Sequence, residues 1–126
     1  MREIKFRGCF KIGDSWEYGG IRYGDMGQAY ILPHGATSRV VLVNRSYVGQ
    51  YTGLKDKNNV EIYSGDILKY WLPTLKREEV GEVKWRDDIA CFLLNGNWME
   101  YDWIKIGKLE VIGNIYENPE LLEEIK

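Results

Sequence analysis

A chain of 126 residues, 44% hydrophobic and 13% aromatic, has room for one domain or two very small ones around a modest core. Five Trp and nine Tyr exclude a disordered segment, because such segments lack the large apolar side chains that offset ordering entropy. A net charge of −2 gives no bulk attraction to nucleic acid or an anionic membrane, and two cysteines, Cys9 and Cys91, outside any Cys-x-x-Cys pair, do not make a disulfide scaffold.

From the N-terminus, Ile4 and Phe6 alternate with Glu3, Lys5 and Arg7, the two-residue period of a half-buried strand. This opening carries no signal-peptide pattern, and no apolar run approaches the ~20 residues of a membrane span, so a soluble, cytoplasmic protein is expected. Trp16-Glu17-Tyr18 and Ile21-Arg22-Tyr23 flank Gly19-Gly20, which predicts a tight hairpin. Ala29 to Leu32 predicts a short strand stopped by Pro33-His34-Gly35. Arg39 to Val48, rich in β-branched residues, predicts one longer strand.

Asp56-Lys57-Asn58-Asn59 is a turn cluster, since Asp and Asn bond locally to backbone and tolerate left-handed conformations. Val60 to Tyr63 and Asp66 to Leu72 read as strands on either side of Ser64-Gly65. The charge cluster Lys76-Arg77-Glu78-Glu79 predicts an exposed loop or a single helical turn. Glu82 to Arg86 alternates again, with Val83 and Trp85 inward. Ile89 to Leu94 and Asn97 to Trp103 flank Asn95-Gly96, the pair best suited to the positive φ angles of a type I′ hairpin turn. Leu109 to Ile112 begins a last strand, with Gly113 suited to a bulge. Asn118-Pro119-Glu120 reads as the N-cap, first position and acidic first turn of a short helix that packs Leu121, Leu122 and Ile125. Many short strands with closely spaced turns give a mostly-β protein. A β region over residues 1–50 precedes a part over 51–126 with about five strands, enough for a small barrel.

The opening MREIKFR, the block YTGLKDKNNVEIYSGDILKYW (51–71), Gly81-Glu82-Val83-Lys84-Trp85 and the ending VIGNIYENPELL (111–122) together resemble the YopX-like family of phage and prophage proteins. Residues 9–48 are the variable part, where the likeness is weak. The resemblance implies a β-rich phage or prophage protein in a bacterial host, with a C-terminal barrel of the Src-homology-3 type and homo-oligomeric assembly. It brings no catalytic residues to carry over. Cys9-Phe10 departs from the aromatic-then-acidic pair of many relatives, which puts the role of that position in doubt here.

The residues themselves offer little chemistry. His34, the one histidine, sits in a turn, and with two widely separated cysteines it falls short of the three or four ligands of a zinc site. No spacing pairs His34 with either thiol as base and nucleophile. Asp87-Asp88 could split its pKa values if buried, but between two strands it reads as a solvated turn. No phosphate-cradling glycine motif is present, and Gly65-Asp66-Ile67 reads as a strand entry. No metal, no cofactor and no enzymatic activity are therefore expected.

A binding face remains. Lys69, Trp71, Lys84, Trp85 and Arg86 interleave cations with aromatics on two candidate neighbouring strands, the chemistry that stacks single-stranded nucleic acid in a positive groove. Against this, Trp85 can fill the core while the cations solvate the outer face, and the second half is acidic, which disfavours phosphate contacts. Residues 1–50 carry seven Lys/Arg against four Asp/Glu, a surplus of +3, whereas residues 51–126 carry ten against fifteen, a deficit of −5. That asymmetry either supports head-to-tail contacts between copies or is ordinary surface scatter. The expectation is a non-catalytic assembly or interaction module, homo-oligomeric or bound to a phage or host protein and not to membrane. A single-stranded nucleic-acid-binding barrel is the alternative.

Overall fold

Antiparallel strand pairing carries the backbone through both halves of the chain. The computed structural model describes residues 3–35, 39–72, 76–87, 90–94 and 108–123, and the chain divides into two compact units, Met1–Gly53 and Leu54–Lys126.

In the first unit, strands β1 (Phe6–Gly8), β2 (Glu17–Tyr23), β3 (Ala29–Pro33), β4 (Val41–Val43) and β5 (Val48–Lys55) lie in the order β4-β3-β2-β1-β5. The register sets Ile21 opposite Ile31 and Ile31 opposite Val41, so three branched side chains form a row across three strands. Ala29, Ile31 and Val43 are buried there, with Phe6, Ile21, Val41 and Val48 packed against them.

Two expectations fail here for local reasons. Gly19-Gly20 is not a hairpin turn but lies inside the continuous strand β2. A Cβ on Gly19 would stand 1.9 Å from the Leu32 carbonyl oxygen. The glycine serves a close approach of the neighbouring backbone, the other use of glycine in a strand. The β-branched run 39–48 is also broken. Asn44 Oδ1 accepts from the Ser46 N–H at 2.9 Å and opens a 3-10 turn over Arg45–Tyr47, because a short amide side chain competes with the strand ladder for backbone donors.

The second unit takes the end of β5 into β6 (Glu61–Tyr63), then β7 (Asp66–Leu72), β8 (Arg77–Arg86), β9 (Cys91–Leu94), β10 (Glu110–Asn114) and a short helix, α1 (Glu120–Glu123). Asp56 closes the β5–β6 turn. Its Oδ1 accepts from Asn58 N at 2.8 Å and Val60 N at 2.9 Å, and Asn59 takes a left-handed φ of 67°. Strands β10, β7, β8 and β9 form one antiparallel sheet in that order. Ile62, Leu68, Tyr70, Val83, Phe92, Leu94 and Leu109 make its buried cluster, with Leu54 and Val111 against it.

The mostly-β class with a short C-terminal helix is as the sequence reads. The barrel is not closed among the described residues, since β9 and β10 stand at opposite edges of an open sheet. The strand order sets no described partner between those edges. The Asn95-Gly96 turn and the strand expected over Asn97–Trp103 lie outside the described residues. The cluster Lys76 to Glu79 is not a loop or helical turn: β8 begins at Arg77. Consecutive charged residues suit a strand end with two solvated sides, and Glu78 pairs across the sheet with Trp71. The bulge expected at Gly113 is present as a register shift between Val111 and Gly113. Asn118 does not cap α1 with its side chain. Its Oδ1 instead accepts from Asn114 N at 3.2 Å, pulling the preceding turn tight.

Candidate binding groove

Strand β8 is longer than its neighbour β7. Ile67 pairs with Glu82, and Gly65 N donates to the Val83 carbonyl at 2.8 Å. Beyond that point β8 continues to Arg86 paired only with β9. The chain enters β7 through Ser64-Gly65, where φ of Gly65 is +93°, a conformation glycine adopts without a Cβ penalty. A gap opens beside Lys84 and Trp85.

The turn after β10 covers one side of that gap. Asn114 Oδ1 accepts from the N–H groups of Tyr116 and Glu117 at 3.0 and 2.9 Å, and its Nδ2 donates to Glu117 Oε1 at 2.9 Å. Ile115 N donates to the Gly65 carbonyl at 2.9 Å. Held this way, the Tyr116 ring lies over Gly65, where a Cβ would stand 3.1 Å from Tyr116 Cε2. The result is an open groove of about 210 Å³ lined by Ser64, Gly65, Glu82, Lys84, Trp85 and Tyr116 among others. Its lining comes wholly from the three sequence blocks 51–71, 81–85 and 111–122.

Glu82 is the one carboxylate in the lining. Its side chain is 18% exposed, and its nearest cation is the Lys84 ammonium at 3.9 Å. Burial pushes the Glu82 pKa up, and Lys84 pulls against that shift. Trp85 stands across the strand from Phe92, edge to face with ring centroids 4.9 Å apart, and its indole Nε1 donates to Asp87 Oδ1. The lining therefore holds one partly buried carboxylate that already faces an ammonium, together with the Trp85 and Tyr116 side chains.

The five residues singled out from the sequence do not form one face. Lys84 and Trp85 line the groove and Arg86 is the exposed next residue on β8. Trp71 pairs with Glu78, about 23 Å along β8 from Trp85 at the usual strand rise. Trp71 already has the Lys108 ammonium over its ring, 5.7 Å from the centroid. Lys69 faces Glu78 at 3.4 Å and Glu110 at 3.9 Å. Trp85 is also not wholly inward as the alternation predicts: it keeps 38% of its surface exposed, because β7 ends before reaching it. Val83, two residues earlier on the same side of the strand, is fully buried.

None of the other sequence candidates is among the lining residues. His34 is exposed, 3.8 Å from Glu3 Oε2. Cys9 is buried and Cys91 half-buried, both as free thiols. Among the described residues no three His, Cys, Asp or Glu side chains group closely enough to hold a metal ion, and no helix is long and apolar enough to cross a membrane. Sequence reasoning missed Glu82 and Tyr116. The Gly-Asn-Ile-Tyr-Glu-Asn run carries a signal in its two asparagines, which mark a tight turn. Nothing local says that the turn lies against Gly65.

Comparison with known proteins follows the same segments. A family model described as YopX protein matches residues 12–123. The SPbeta prophage-derived uncharacterized protein YopX of Bacillus subtilis (strain 168) is 34% identical over 70 residues, 52% of this chain and 52% of that protein, so the match spans about half the length of that relative. Among solved structures, protein EF1440 from Enterococcus faecalis is similar over 97% of this chain and 99% of that one, with a TM-score of 0.61 and 26% identity.

Proposed function

This chain belongs to the YopX protein family, and from that premise we propose that it is a non-catalytic phage or prophage protein that assembles with further copies of itself. One observation carries the reading. The two compact units bear opposite charge surpluses, +3 over Met1–Gly53 and −5 over Leu54–Lys126, and the exposed apolar side chains gather on the basic one. Among the described residues, nine of the eleven large hydrophobics that remain exposed lie before residue 54, including Phe10, Tyr18, Met26 and Leu42. Opposite fields steer two copies into a head-to-tail encounter, and apolar surface then holds the contact. A contact between unlike surfaces closes into a ring or grows into a filament, according to the rotation it imposes.

Light scattering on the wild-type chain tests this. The mean mass should rise with concentration and fall as salt goes from about 0.1 M to about 1 M, where the screening length shrinks from about 10 Å to about 3 Å. A chain that stays monomeric at every concentration refutes the proposal. The alternative of a single-stranded nucleic-acid-binding module has less support, because Lys69 and Lys84 already face Glu78, Glu110 and Glu82. Salt-sensitive binding of labelled oligonucleotides, read by fluorescence anisotropy, would favour that alternative over assembly.

A further inference from the structure

The first unit's sheet has two sides. Ala29, Ile31 and Val43 fill the core on one of them, and alternation turns the residues between them to the other. On that outward side the register lines up Leu42, Tyr30 and Arg22 in one row across β4, β3 and β2, and sets Leu32 beside Gly20 in the next. Tyr18 follows two residues away on β2. The side of an antiparallel sheet turned away from its core is ordinarily polar. Here Tyr18, Leu32 and Leu42 are 43%, 38% and 45% exposed.

Gly20 lies in the middle of this side, and the fold gives no reason for a glycine there. Its φ is not left-handed, and the pairing of β2 with β3 runs through it without a bulge. A Cβ on it would meet only the Leu32 Cβ, at 4.0 Å, an ordinary contact. Gly19 beside it differs, because its Cβ would strike the Leu32 carbonyl. A glycine inside a strand lowers stability, and one that neither bulge nor crowding explains marks the close approach of another backbone or ligand.

Charge chooses what approaches. The charged residues facing outward from β1 to β4 are two arginines. Arg7 is buried against the Trp16 ring, and Arg22 lies exposed over Tyr30, 5.2 Å from the ring centroid. No carboxylate shares this side of those strands, so two such sides repel each other and an acidic surface complements them. On this chain the acidic unit is the second, at −5.

We infer that the outward side of the β4-β3-β2 sheet docks on the acidic unit of a second copy, whose surface seats over Gly20 among Tyr18, Leu32 and Leu42, with Arg22 against its carboxylates. This contact rests on the self-assembly proposed above and assigns its first-unit half.

Three single variants of the full chain, followed by sedimentation velocity, test it. G20V fills the clearing with a side chain that strands favour. It should raise the dissociation constant of assembly about 10- to 30-fold, the loss expected at the centre of a packed contact, while the dilute protein unfolds at the wild-type temperature or above. R22E should raise the constant about 5- to 25-fold, because an exposed charge pair is worth up to about fivefold in each direction. M26S removes an apolar side chain that is 89% exposed in the β2–β3 turn, off this side of the sheet, and should leave assembly unchanged. A wild type that assembles while G20V and R22E leave its dissociation constant unchanged overturns the assignment and leaves the self-assembly reading intact. Tighter assembly of R22E means that like sides meet, and overturns the assignment too. Unfolding of G20V well below the wild-type temperature means that the fold itself needs the glycine, with the same consequence. A strictly monomeric wild type overturns both.

Discussion

Replacing Asp56 by alanine removes the hydrogen bonds that tie the β5–β6 turn to the far edge of the second unit's sheet. The side chain is 7% exposed. Besides the local bonds to Asn58 and Val60, its Oδ2 accepts from Val111 N at 2.9 Å, across 55 residues of sequence. Next to it, Lys57 N donates to the Leu109 carbonyl at 2.9 Å, so β10 is held at this point. A hydrogen bond to a charged group contributes about 1.5–3 kcal/mol net. Asn58 and Val60 are exposed, so water substitutes for the carboxylate there and each loss falls to about 1 kcal/mol or less. The Val111 N–H is half-buried and bears the full cost. D56A should therefore destabilise the second unit by about 3–4 kcal/mol. D56N keeps one carbonyl oxygen but turns an NH2 toward a backbone N–H, and should fall between, at about 2 kcal/mol. Urea unfolding gives the values, and amide exchange at Val111 should accelerate in both variants. A D56A loss under about 1 kcal/mol, or D56N equal to wild type, would refute the reasoning.

G19A should disrupt the first unit's sheet at a cost of at least about 3 kcal/mol, since its new Cβ meets backbone rather than a movable side chain; loss of the wild-type circular dichroism at moderate temperature checks it. L68A, at a fully buried position of β7, should cost about 2–5 kcal/mol by cavity formation, measured by urea midpoint. Glu82 sets a pH dependence whose sign follows from its raised pKa. The folded state then binds the proton more tightly than the unfolded state, so this group's contribution to stability is present at low pH and declines as pH rises through the folded pKa. E82Q removes that decline. Dilute E82Q should match wild type near pH 4 and unfold at higher temperature near pH 7; a wild type that gains on E82Q as pH rises would contradict the assignment.

Local patterns carried much of the fold. Asp66–Leu72 and the turn at Ser64-Gly65 read correctly because an apolar, aromatic run follows a clear turn signal there. The Asp56 turn and the Gly113 bulge read correctly from their own turn and bulge signals. The failures have two causes, a neighbouring strand that overrides a residue's local meaning and a side chain that bonds its own backbone. Gly19 looks like a turn residue and is in fact the space for Leu32. Asn44 stops a strand that its β-branched neighbours favour. Arg77 to Glu79 join a strand because Leu72, Trp71 and Tyr70 stand opposite.

The groove was the least legible part. Lys84 and Trp85 were visible as a cation beside an aromatic, but the partners that give them a role, Glu82, Gly65 and Tyr116, come from three segments. No single segment carries their relation, which depends on β7 being shorter than β8 and on two asparagines bending the chain after β10. The five candidate binding residues were grouped because cations interleave with aromatics on two neighbouring strands, a pattern that gives neither the side of the strand nor the distance along it.

Hydrogen exchange on the wild-type chain at low and high protein concentration tests self-assembly most directly. Slowed exchange on concentration should include the segments of the first unit that carry exposed apolar side chains, around Phe10 to Ile12, Tyr18 to Tyr23 and Val40 to Leu42. Equal exchange at both concentrations would contradict it.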